Sequence, residues 1–315
     1  MTPTILSSAD LALEINQRSG LIPVALDTAS LEVTWFDLGE YHCYQGFFRD
    51  ALRFCRALRK DEPATFRTSL DALLSAGALM GDALPPSGFI FHAGRCGSTL
   101  LTRALARSRQ NIVFGEASLH NQLWATLQNE GARAPELYRA VLTAMGRRRL
   151  ASYQHHLIKF TSWTILKSPF IRATFPGVPA VFLFRDPERM LASYHREPAP
   201  WMGLPIGFGS VWHTPESAVE DFFRAGLETL APCFRVLEYS DLTTANLPRI
   251  LLHLGVECSP AELRQMTSEF LLDAKSAVPK PFESRPQGPV QPVPEQIQSL
   301  YLQLRERAAT DWQFQ

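Results

Sequence analysis

From Phe89 to Leu101 the chain reads F-I-F-H-A-G-R-C-G-S-T-L-L, an apolar run, a turn holding Gly94 and Gly97, and then at once a helical pattern. A strand that feeds a helix through such a turn points several backbone N–H groups, and the positive end of the helix dipole, at one spot. An anion belongs there. Gly94 and Gly97 let the backbone come close to it, and Ser98 and Thr99 bring hydroxyls. Arg95 adds a fixed positive charge, and Cys96 reads as a small residue that the loop requires. The loop departs from the nucleoside-triphosphate type G-x-x-x-x-G-K-[ST]: His92 stands where its first glycine would be, and Ser98 where its lysine would be. The spacing therefore suits a phosphate-like end group held without a metal.

A second anion site follows about 90 residues later. Pro179 to Phe184 is a continuous apolar run, the pattern of a parallel strand buried on both faces. Arg185 stands at its carboxyl end, where open α/β sheets bind ligands. Asp186-Pro187 opens a helix, and Ser193 lies eight residues beyond Arg185, about two turns in. An arginine and a serine so placed can hold two sides of one phosphate.

The two motifs resemble those of sulfotransferases that use 3′-phosphoadenosine 5′-phosphosulfate (PAPS). Arg95 to Leu101, R-C-G-S-T-L-L, is similar to the R-S-G-S/T-T-L-L loop that takes the 5′-phosphosulfate, and Arg185 with Ser193 to the pair that takes the 3′-phosphate. Phe234 to Leu242, F-R-V-L-E-Y-S-D-L, resembles the late Y-E-D-L element, with Ser240 in place of the glutamate, and reads as scaffold. The resemblance covers residues 88–255. It implies PAPS as co-substrate, bound by Gly94, Arg95, Cys96, Gly97, Ser98, Thr99, Arg185 and Ser193. It further implies in-line transfer of a sulfuryl group to a hydroxyl or amine of a small-molecule or carrier-bound acceptor, with no metal. The late Pro-rich segment 275–295 would close over the nucleotide, with Lys280 and Arg285 as its phosphate contacts. A phosphoryl transferase with a P-loop, or a nucleotide-binding module without catalysis, are the alternatives.

Such a transfer needs a base for the acceptor proton and a cation for the charge on the bridging oxygen. Glu116 in V-F-G-E-A-S follows an apolar strand into the same cleft and is the first candidate base, its carboxyl expected to be pushed upward by apolar surroundings. His120, four residues on, is the rival. His92 reads either as a sulfate contact or as a buried, hydrogen-bonded imidazole. Lys159 ends the strand in H-L-I-K-F-T-S-W and is the preferred cation, with Lys167 competing for the role.

These residues need a scaffold. The spacing predicts alternating strands and helices: 89–93 then 98–109, 111–114 then a helix from 118, 156–160, 179–184 then 187–194, and 234–238 then 247–254. That order is an α/β fold, a P-loop-type, mostly parallel sheet flanked by helices. We divide the chain into a small N-terminal α+β module, 1–85, and the sulfotransferase-like domain, 86–315. Leu31–Phe36 alternates as a strand, and Tyr44–Arg59 carries a helical packing stripe with Phe47 and Phe48. Residues 195–215 read as a substrate-facing lid, and Trp124, Trp163, Trp201 and Trp212 as core or as the lining of an acceptor pocket.

Lys+Arg and Asp+Glu are both 31 in 315 residues, which gives no basic surface for nucleic acid. Arg147–Arg149 reads as a solvated helix face. Five cysteines without C-x-x-C spacing point to free thiols in a reducing compartment. With no leader pattern and no long apolar run, a cytoplasmic protein without a membrane span is expected, and a homo-oligomer is compatible with it.

Overall fold

The computed structural model describes residues 5–59, 65–77, 80–206, 209–274, 280–281 and 292–312. The N-terminal part contains β1 (Ile5–Leu6), α1 (Ser8–Gln17), β2 (Leu21–Asp27), β3 (Glu32–Asp37), α2 (Phe48–Leu58), β4 (Thr65–Ser69) and α3 (Leu70–Gly77). Its four strands lie in the order β1-β4-β3-β2, antiparallel except for β1 beside β4. Of these elements the sequence pattern had picked out β3 and α2.

The second sheet carries the site. Its strands are β5 (Gly88–His92), β6 (Asn111–Gly115), β7 (His155–Lys159), β8 (Ala180–Phe184) and β9 (Phe234–Glu238). All are parallel, in the order β6-β7-β5-β8-β9. The connecting and flanking helices are α4 (Ser98–Leu105), α5 (Ser118–Leu127), α6 (Ala134–Met145), α7 (Ser168–Thr174), α8 (Pro187–Arg196), α9 (Pro215–Glu228), α10 (Leu247–His253), α11 (Pro260–Ser268) and α12 (Glu295–Asp311). The chain is thus an α/β fold with helices on a parallel sheet. The strands are short, apolar runs because both faces are covered.

Alternate residues of each strand serve different layers. Ile90, Leu157, Val181 and Leu183 pack with Leu101 and Leu105 of α4 and Ile250 of α10. Phe89, Phe91, Ile158, Phe182 and Phe184 face a larger layer, which also takes in Trp124, Phe222 and, from the N-terminal sheet, Leu21 and Trp35. One continuous apolar layer therefore joins the two sheets.

Three sequence readings change here. Arg147 and Arg149 are not a solvated face: both are buried beyond the end of α6, while Arg148 is exposed. Arg147 donates to the carbonyls of Ile15, Arg18 and Leu21, and the Arg149 guanidinium lies 5.6 Å from the Phe114 ring. Trp124, Trp163 and Trp212 are core, each under 5 % exposed. Trp201 packs on Trp212 and Phe222 at 5.5 and 5.8 Å, so the aromatics of the expected lid turn inward onto α9. Among the described residues no helix is long and apolar enough to cross a membrane.

Candidate active site at the carboxyl edge of the parallel sheet

Each of the five parallel strands delivers a chemically equipped residue to one edge. Across the sheet these are Glu116 after β6, Lys159 at the end of β7, loop 93–97 after β5, Arg185 after β8 and Tyr239 after β9. This is the edge at which open parallel sheets form ligand crevices.

The central loop turns through left-handed backbone at Gly94 (φ 79°), Arg95 (φ 52°) and Gly97 (φ 79°), and Gly97 caps α4. A Cβ at Gly97 would strike the Tyr239 ring, so glycine is demanded by contact as well as by φ. Glu116 is also left-handed (φ 51°). A non-glycine residue in that region costs on the order of 1–3 kcal/mol and persists where its surroundings fix it. The fixing contact for Glu116 is its own N–H, which donates to the Lys159 carbonyl at 2.8 Å.

At the β6–β7–β5 end, charged and polar groups are packed into one cluster. The Lys159 side chain is almost wholly buried, and its Nζ donates to Glu116 Oε1 at 2.5 Å and to Thr99 Oγ1 at 3.4 Å. The Gly94 N–H donates to His92 Nδ1 at 3.0 Å, so the proton sits on Nε2, which donates to the Phe160 carbonyl at 2.9 Å. The same Nε2 lies 3.5 Å from Glu116 Oε1. Burial would raise the Glu116 carboxyl, but the Lys159 ammonium and the His92 and Lys159 hydrogen bonds outweigh it and hold the group down at about 2. The upward shift expected from an apolar cleft does not occur, because the cleft contains a buried cation. Burial also lowers the pKa of His92, which keeps its ring neutral.

The other candidates fall elsewhere. His120 is buried and stacks on Phe160 at 5.7 Å. Phe160 and Lys159 are consecutive and point to opposite sides of β7, so His120 lies in the aromatic layer, away from the loop. Neither of its ring nitrogens has a hydrogen-bond partner, and burial lowers it to about 4. That removes it as a rival base. Lys167 is half-buried at the start of α7, where burial lowers its pKa. Cys96 is buried, its thiol donates to the Leu183 carbonyl at 3.2 Å, and burial pushes it up to about 11. Arg95 does not project over the loop: its guanidinium binds the carboxylate of Glu197 at 3.2 Å and the Glu197 carbonyl, and covers the Tyr194 ring.

At the β8–β9 end, the Arg185 guanidinium lies 4.4 Å from the Tyr239 ring centre and 3.5 Å from the Arg95 carbonyl. It has no carboxylate partner among the described residues. Ser193 is half-buried in α8. Tyr239 is the residue that sequence reasoning passed over, since its element was read as scaffold; its signal was its place directly after the last parallel strand. Beyond α4, Arg103 donates to the Asp273 carbonyl at 3.2 Å, and the Asp273 N–H donates to the Lys280 carbonyl at 2.7 Å. The backbone of Lys280 is thereby tied to the α4 side, while Arg285 lies outside the described residues.

No family model and no curated protein matches the chain. Among solved structures, it is similar to a sulfotransferase domain from the curacin biosynthetic pathway, with 15 % identity and a TM-score of 0.46 over 71 % of this chain and 98 % of that one. It is similar to the sulfotransferase STF1 from Mycobacterium tuberculosis H37Rv, with 14 % identity and a TM-score of 0.37 over 62 % and 78 % of the two chains. A mouse sulfotransferase, SULT7A1, crystallised with PAP, gives 14 % identity and a TM-score of 0.37 over 62 % and 67 %.

Proposed function

We propose that the protein is a sulfotransferase that moves the sulfuryl group of PAPS to a hydroxyl or amine. The observation that carries this reading is the row of groups along one sheet edge. A loop of convergent N–H groups sits at its centre, an arginine without an acidic partner lies on one side, and a lysine–carboxylate pair lies on the other. A nucleotide phosphorylated at both ends suits such a row, its 5′-phosphosulfate on loop 93–99 and its 3′-phosphate on Arg185 and Ser193.

In this reading the acceptor oxygen or nitrogen forms a bond to sulfur as the bond from sulfur to the bridging oxygen breaks. The electron pair goes to that oxygen and the acceptor proton to Glu116. Lys159 neutralises the charge that builds on the bridging oxygen. The pair couples the two events. While Lys159 is bound to Glu116 the carboxylate is ionised but a weak base. Once the ammonium is drawn to the bridging oxygen, burial dominates and the proton affinity of Glu116 rises.

The test is calorimetric titration with adenosine 3′,5′-bisphosphate beside ATP with magnesium. Micromolar binding of the bisphosphate and little of ATP is the expected result, followed by an acceptor screen with PAPS. A preference for ATP with magnesium would overturn the proposal.

A further inference from the structure

Lys159 has one more neighbour, and it comes from the N-terminal part of the chain. The segment 42–47, which leads into α2, crosses the carboxyl end of β6. His42 Nε2 lies 2.7 Å from the Ala106 carbonyl and its Nδ1 3.0 Å from the Tyr153 hydroxyl, which fixes the start of the segment. Gly46 is buried against Thr99 and Arg103 of α4, and its carbonyl sits where a Cβ on Gly115 would go. Any side chain at residue 46 would collide with Thr99, the same residue whose hydroxyl meets Lys159. Phe48 anchors the far side on Phe114, with ring centres 4.5 Å apart. Between these two fixed points, the half-buried Phe47 ring lies 4.7 Å from Lys159 Nζ.

We infer that Phe47 is a positioning residue for Lys159, so that the N-terminal part of the chain completes the candidate active site. This rests on the sulfotransferase reading for its chemical consequence, although the contact itself does not. A buried ammonium needs a partner on every open side. Glu116 and Thr99 supply two, and the negative face of an aromatic ring supplies a third that accepts no proton and competes for no hydrogen bond. The ring therefore holds the ammonium at the mouth of the cleft while leaving its N–H groups to the carboxylate and to incoming oxygen atoms. An aliphatic side chain of similar size would fill the space without that attraction.

Two measurements on the full-length protein separate the contact from its consequence. The first labels lysines with acetic anhydride in the absence of nucleotide, with the extent at each site read by peptide mass spectrometry. Phe47→Ala should raise acetylation of Lys159 about tenfold while Lys167 is unchanged. Equal acetylation of Lys159 in both proteins would overturn the contact. The second measures cleavage of PAPS to the bisphosphate and sulfate with water as acceptor. Phe47→Leu should bind adenosine 3′,5′-bisphosphate as the wild type does but cleave PAPS about tenfold more slowly, and Phe47→Tyr should restore the rate. Unchanged cleavage in Phe47→Leu, or loss of bisphosphate binding together with cleavage, would overturn the positioning role. A wild type that binds no bisphosphate yet shows the acetylation difference would overturn the sulfotransferase reading and leave the contact supported.

Discussion

The two ends of the site hold their positive charges in opposite ways. At the β6–β7 end, Lys159 is buried and already neutralised by Glu116. At the β8–β9 end, Arg185 is half-exposed, rests on an aromatic ring and faces no acid among the described residues. A cation without a partner keeps its full attraction for a ligand phosphate. A cation already paired has little left for binding, but exchange of its partner changes the proton affinity of the carboxylate it leaves. The first arrangement is built for affinity and the second for chemistry.

Substitutions at the two ends should therefore separate stability from binding. The largest effect is expected at Glu116. Glu116→Gln leaves the Lys159 ammonium buried and without its counter-charge, which should cost about 3 kcal/mol in urea unfolding. The same change should leave bisphosphate binding intact and reduce turnover at least about a hundredfold. Equal stability of wild type and variant would break the contrast.

Arg185→Ala comes next and should show the reverse pattern. Loss of a charge-assisted pair should weaken adenosine 3′,5′-bisphosphate binding by about 2 kcal/mol in calorimetry. Unfolding should change by less than about 0.5 kcal/mol, because no internal pair is broken. If Arg185→Ala bound as well as the wild type, the 3′-phosphate site would have to lie elsewhere.

The pH dependence of stability sharpens the comparison further. The folded pKa of Glu116, about 2, is below the ordinary value of 4.5, so its contribution is fully present above 4.5 and is lost as pH falls toward 2. His120 is also depressed, from 6.5 to about 4, because burial disfavours its charged form. Its unfolded state takes up a proton first, and stability is lost as pH falls from 6.5 to 4. Glu116→Gln should flatten the lower window and His120→Leu the upper one in acid unfolding followed by circular dichroism. Identical acid profiles for all three proteins would contradict both assignments.

The smallest effect belongs to Arg95. Its partner Glu197 is 63 % exposed in its side chain, so Arg95→Ala should change stability by less than about 1 kcal/mol. Cys96, with its thiol buried and bonded to Leu183, should resist thiol reagents in the native protein. Rapid labelling of Cys96 would show that the loop opens.

Much of the site could be read from residue order. The strand–glycine–helix turn at 89–101, the arginine at the end of 179–184, and Glu116 and Lys159 at two further strand ends follow from local patterns of apolar residues and turn formers. The N-terminal sheet was less legible, since β1 has two residues and β2 is nearly continuous in its burial, so neither shows a clear alternation. Arg147 shows a further limit: three arginines in a row look solvated, yet three backbone carbonyls from a distant segment draw one of them inside.

The sequence by itself determined which residues stand at strand ends, and in what order, because strand and helix periods are properties of neighbouring residues. Only the tertiary structure decided how those residues pair. Arg95 turned to Glu197, Lys159 took Glu116 and the Phe47 ring, and His120 went into the aromatic layer. The reason is physical. Coulomb attraction, desolvation and ring contact act over a few ångströms through space. Lys159 and Phe47 are 112 positions apart in the chain, and close packing alone brings them together.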